Sequence, residues 1–158
     1  FNELVMLMPA ADSARAQIAA SQQEAQDTYK SMTDEFQVKY QQYQQKSSTW
    51  TPAIRESKEK ELQDIQTRIQ DFDQSIQQEL QQQQQQLMAP IQQRAVAAVE
   101  KLAKEGGYIY VFEKASMLYV DETQSVDLTP AARKALNIPD GRTLETLQQE
   151  LQAKSQKQ

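Results

Sequence analysis

Two interleaved seven-residue apolar series constrain this chain more than any other feature of it. From Ala11 the apolar positions recur as Ala11, Ile18, Ala25 and Met32 and as Tyr29, Phe36 and Tyr43, offset from one another by three and four residues. That spacing holds one stripe of a helix against a partner, as in the seam of a coiled coil. Beyond Thr49, Trp50, Thr51 and Pro52 the pattern returns as Leu62, Ile65, Ile69, Phe72, Ile76 and Leu80. Two legs with matching seams on either side of a short break predict an antiparallel helical hairpin.

Pro9 suits the first turn of the first helix, which the pattern carries over residues 10–46. At a rise of about 1.5 Å per residue, such a helix is on the order of 55 Å long, more than a compact domain of this size contains. The tip spans 47–52, with Thr51 as N-cap and Pro52 at the first helical position of the return leg. The second helix is predicted over 52–105. It includes the run Gln81–Gln86, which favours helix but adds no apolar seam, so packing is expected to loosen there. Pro90 removes a backbone donor inside the pattern and predicts a bend, read either as static or as a hinge between arm and body.

Composition narrows the function classes. The 158 residues include no Cys and no His, which removes disulfides, thiol nucleophiles, imidazole bases and the usual transition-metal ligands, so no catalytic or metal site is assigned. Carboxylates such as Asp71, Asp73 and Glu79 read as a solvated helix face. The net charge of −5 argues against a nucleic-acid partner, since binding a phosphate backbone calls for a basic face. No apolar run approaches the roughly 20 residues of a transmembrane helix. The chain opens on FNELVMLMPAA without an initiator Met, from which further sequence upstream is expected.

After Pro90, Ile91, Ala95, Val99 and Leu102 restore a helical face, and Gly106-Gly107 supplies a helix end. The period then changes. Tyr108–Phe112 and Met117–Val120 are rich in aromatic and β-branched residues around a turn at Glu113–Ser116, which predicts a β-hairpin. Asp127-Leu128-Thr129-Pro130 then starts a short helix ending near Asn137. Residues 139–158 read as a peripheral extension in which Leu144, Leu147 and Leu151 form a small amphipathic helix with a frayed end. A lone β-hairpin is marginal in water, so the head is expected to be shared between chains. Leu4, Val5, Leu7, Val99, Leu102, Ile109, Val111, Leu118 and Val120 are its candidate oligomerisation residues. The expected fold is mainly α with a small β part: a head of 1–9 and 91–138, and an arm of 10–90.

The order of these elements, a helical hairpin followed by GGYIYVFEKASMLYVD and then Asp127-Leu128-Thr129, resembles the Skp/OmpH family of periplasmic chaperones. The opening segment is similar to the one that follows the family's first strand, which in this sequence is missing or cut short. The resemblance implies a homotrimer with a β-rich head and three helical arms. It also implies a cavity that holds unfolded outer-membrane proteins in the periplasm without ATP or another cofactor. Well-known members are basic whereas this chain is acidic, so no contact with anionic lipid or lipopolysaccharide is carried over.

A holdase binds many sequences weakly, which calls for dispersed, adaptable contacts rather than one deep pocket. Met and aromatic side chains suit that task. The candidate client-binding residues are Met32, Phe36, Val38, Tyr40, Tyr43, Trp50 and Ile54, of which Met32, Phe36 and Tyr43 also fit a place inside the hairpin seam. Two other readings use the same pattern. A prefoldin-like subunit would place its β-hairpin between the helices rather than after them. A coiled-coil adaptor would bind one defined helical partner.

Overall fold

A computed structural model describes residues 1–155 of the chain, so the last three residues of the expected frayed end lie outside the described residues. Among the described residues five α-helices follow in order: α1 (Asn2–Leu7), α2 (Pro9–Lys46), α3 (Pro52–Gly106), α4 (Thr129–Ala135) and α5 (Leu144–Ser155). The chain divides into two compact units, one of residues 1–16 with 85–158 and one of residues 17–84.

The second unit is the hairpin. Thr51 begins α3 by accepting a hydrogen bond from the Ile54 N–H at 3.4 Å, and Pro52 follows it as the first helical residue. Arg55 reaches back to the Ser47 carbonyl at 2.9 and 3.2 Å and ties the tip to the return leg. Across the legs, Lys39 meets Glu61, Tyr43 meets Glu59, and Arg68 meets Glu35 at 3.1 Å. Nearer the other end, Gln83 meets Ser21 at 2.8 Å. Each pair joins a residue of α2 to one that lies about as far beyond residue 51 as the first lies before it, a mirror that only antiparallel pairing produces. The return seam is at least half-buried throughout, with Ile65 its most enclosed member. On α2, Ile18, Ala25, Met32, Phe36 and Tyr43 turn inward, whereas Tyr29 is exposed.

The first unit holds the apolar core. Pro9 sterically drives Met8 into extended backbone (φ −63°, ψ 138°), which separates α1 from α2. Leu4, Val5, Leu7 and Met8 then pack with Ala11 and Ala14 of α2, Ile91 and Ala95 of α3, Ala132 of α4, Leu136, Ile138, and Leu147 of α5. Four of these are alanines, whose small side chains let helices approach closely. Leu7, Met8 and Leu136 are fully enclosed, each contributing about 1.5–3 kcal/mol by burial.

Two helix ends in this unit share one geometry. At the end of α3 the Tyr108 N–H bonds the Ala103 carbonyl at 2.9 Å and the Gly107 N–H bonds that of Lys104 at 3.3 Å, with Gly107 left-handed at φ 70°. After α4, Ile138 bonds Arg133 at 2.9 Å and Asn137 bonds Lys134 at 3.2 Å, with Asn137 at φ 56°. Both are Schellman motifs, and the buried Ile138 supplies the apolar contact that accompanies the second. Asp127 accepts the Thr129 N–H at 2.9 Å ahead of α4, as its place before Thr-Pro predicts.

Two regions differ in the single chain from what the pattern alone suggests. Among the described residues no strand forms at 108–112 or 117–120. Those segments flank a short turn, Lys114–Ser116, and are mostly exposed; two short strands with no third strand or helix to cover them are marginal in water. Residues 139–155 are also more than a periphery. Leu147 enters the core, while Arg142 grips Asp12 with both guanidinium nitrogens at 2.6 and 2.7 Å. Partial burial pushes the Asp12 carboxyl up, but the hydrogen bonds from Arg142 and Arg15 outweigh it and hold the group below the ordinary aspartate value.

Candidate functional site

The hairpin presents apolar side chains that its own seam does not use. Val38 is 55% exposed, Ile54 46% and Tyr40 44%, and Tyr29, which spacing assigns to the seam, is 42% exposed. The heptad period explains that miss: position in the repeat marks a stripe, but a tyrosine at its margin can carry its ring out to solvent. Met32, Phe36 and Tyr43 are half-buried, as befits side chains shared between seam and surface.

The aromatic rings reinforce one another. Phe36 stacks on Tyr40, one helical turn further on, with centroids 5.9 Å apart and planes 8° from parallel. Trp50 meets Tyr43 edge-on, again at 5.9 Å and with planes 63° apart, and Tyr43 donates its hydroxyl proton to Glu59. That hydrogen bond raises the Tyr43 pKa. Trp50 is therefore half-covered at the tip, not fully presented. Charges border these rings: Lys39 lies between Glu35 and Glu61, and Lys58 donates to Glu61 at 2.9 Å. The hydrogen bonds from Lys39 and then Lys58 lower the Glu61 carboxyl to about 2.

The candidate oligomerisation residues separate into two groups. Leu4, Val5 and Leu7 lie in the intrachain core, and Val99 and Leu102 are packed partly against it. Ile109, Val111 and Leu118 are exposed, and Val120 is half-buried. Around them Tyr110, Phe112, Tyr119 and Val126 are exposed as well, so most of the large apolar side chains of 108–126 lie open to solvent in the single chain. Pro90 is exposed within α3, which continues through it from Pro52 to Gly106.

A protein-family model for "Outer membrane protein (OmpH-like)" matches residues 1–136. The chain belongs to the OmpH-like family. A search of the curated proteins found no match. The OmpH-like assignment suggests a periplasmic chaperone of outer-membrane proteins rather than an enzyme, and the long paired helices fit that class. Among the described residues, no helix of this OmpH-like chain is long and apolar enough to cross a membrane.

Proposed function

We propose that this OmpH-like chain is a periplasmic, ATP-independent holdase that binds unfolded outer-membrane proteins in the cavity of a homotrimer and keeps them from aggregating. The observation that carries this reading is the set of exposed apolar side chains, Val38, Tyr40 and Ile54, on a hairpin whose seam is filled by other residues. Met32, Phe36, Tyr43 and Trp50 extend that surface with rings and a thioether that adapt to varied sequences. Each contact is weak, and confinement raises the effective concentration of the client enough for many of them to hold it.

In this reading the segments 108–112 and 117–120 acquire their partners from other copies, with Ile109, Val111, Leu118 and Val120 facing a shared head. Val99 and Leu102 support that head from the end of α3, and Leu4, Val5 and Leu7 brace it from within each chain. Pro90 acts as a hinge that adjusts the arm to clients of different size.

Light scattering of the protein alone, and again with a urea-unfolded outer-membrane barrel protein, tests the proposal. A trimer that takes up the client and keeps it soluble without nucleotide is the expected result. A monomer or dimer without client uptake would favour a coiled-coil adaptor instead.

A further inference from the structure

We propose that residues 137–155 are a releasable strap that covers the apolar face of α1, with the Asp12–Arg142 pair as its latch. The strap lies beyond the residues matched by the family, yet it closes on elements inside that match. Asn137 (φ 56°) and Gly141 (φ 74°) turn the chain back after α4, and α5 then packs on α1. Leu147 joins Leu4, Val5 and Leu7 in one core cluster, so the strap closes over side chains that would otherwise form an adhesive apolar surface.

The latch is charged and enclosed on the Arg142 side. The Arg142 side chain is 12% exposed, and its two terminal nitrogens bind the two Asp12 oxygens in the paired geometry that the guanidinium fork favours. Glu150 of α5 lies 3.7 Å from the same guanidinium, and Arg15 holds Asp12 from the α2 side. Arg133 of α4 bonds the carbonyls of Pro139 and Arg142, which sets the path of the strap between its turns.

The anchor is small for the length it holds. Of the three leucines on the apolar stripe of α5 only Leu147 is buried, while Leu144 and Leu151 are 42% and 43% exposed. Two buried side chains, Ile138 next to α4 and Leu147 alone on α5, and one latch make this the kind of segment that opens as a unit while the rest of the fold stays closed. Opening would free Leu4, Val5, Leu7, Ile138 and Leu147 together.

Hydrogen exchange on the full chain tests the strap, comparing D12N, R142Q and the double variant, with peptides from α1, α5 and residues 20–80 followed separately. If Arg142 and Asp12 are one latch, either substitution accelerates exchange in both α1 and α5 by about tenfold or more. The double variant adds little to either single one, and the hairpin peptides stay unchanged. Faster exchange in α5 with α1 still protected would overturn the proposal, as would unchanged exchange in both, or effects of the two substitutions that add in full. Should R142Q fail to fold, R142K keeps the charge but loses the fork, and an α1 exchange rate equal to that of the native chain in R142K overturns the strap equally.

Discussion

Gln83 donates a hydrogen bond to the Ser21 hydroxyl oxygen at 2.8 Å, and both residues occupy inward positions of the hairpin. Three residues beyond Leu80 and four before Leu87, Gln83 continues the seam where an apolar side chain would otherwise stand. The glutamine run is thus stitched into the coil by one polar layer, a device that fixes register at some expense of stability. Replacing Gln83 with Ala leaves Ser21 without this partner and is expected to cost about 0.5–1.5 kcal/mol. The double change Q83L/S21A removes both partners and is expected to raise the midpoint of thermal unfolding above that of the native chain, as followed by circular dichroism.

Glu61 gives the hairpin an acid limit. Its folded pKa of about 2 lies below the ordinary value of 4.5, so its contribution is fully present above about 4.5 and is lost as pH falls from there towards 2. The melting temperature of the hairpin should fall across that window. In E61Q it should start a few degrees lower at neutral pH, because exposed ion pairs are individually weak, and should decline less steeply in acid. Thermal melts at stepped pH check both outcomes.

Gly106 and Gly107 do different jobs at the end of α3. At Gly107 (φ 70°), Ala imposes left-handed backbone strain of about 1–2 kcal/mol although nothing crowds the site, and urea midpoints should reveal that loss. At Gly106 an added methyl would lie 2.2 Å from the Tyr108 ring. G106A should therefore swing that ring away and alter its environment, with a smaller change in stability, because a flexible side chain yields more readily than backbone. Near-ultraviolet circular dichroism separates the two variants.

Pro90 leaves α3 without one backbone donor in the middle of a long helix. P90A should restore that bond, slow amide exchange over residues 86–94 and stabilise the helix by up to about 3 kcal/mol. If Pro90 is the hinge of a holdase, the same variant should also hold a narrower range of client sizes. Stabilisation with an unchanged client range would leave Pro90 as a static feature of α3.

Client capture should weaken gradually. V38S, Y40S and I54S should each reduce affinity for an unfolded barrel protein only a few-fold, and the triple variant should approach the product of the three, since separated weak contacts add. Loss of all binding from one of them would point to a single defined partner. Fluorescence titration with a labelled client measures the series.

The helical hairpin was legible because its signals are local. Pro9, Pro52 and Gly106-Gly107 fix helix ends within a few residues of where they stand, and the spacing from Leu62 to Leu80 marks the buried stripe of α3. Tyr29 shows the limit of such a period, which gives a side but not the depth of each side chain. Arg142 and Asp12 are 130 residues apart, and neither carries a local mark of the other. The run from Tyr108 to Val120 has the composition of strands, but composition does not tell whether a hairpin finds the third strand or covering helix that holds it. On the hairpin, sequence picks out Val38, Tyr40 and Ile54 as off-seam residues, whereas the cover that Tyr43 gives Trp50 depends on how the tip turns.

The mirrored pairing of α2 and α3 also bears on how such a chain can evolve. Gln81–Gln86 sits inside the return leg and not in a linker. One inserted residue there would rotate everything after it by about 100° around the helix axis. A tract that would drift freely in a linker is held here to lengths that keep the hairpin seam in phase, so any lengthening of the hairpin must come as matched whole repeats in both legs.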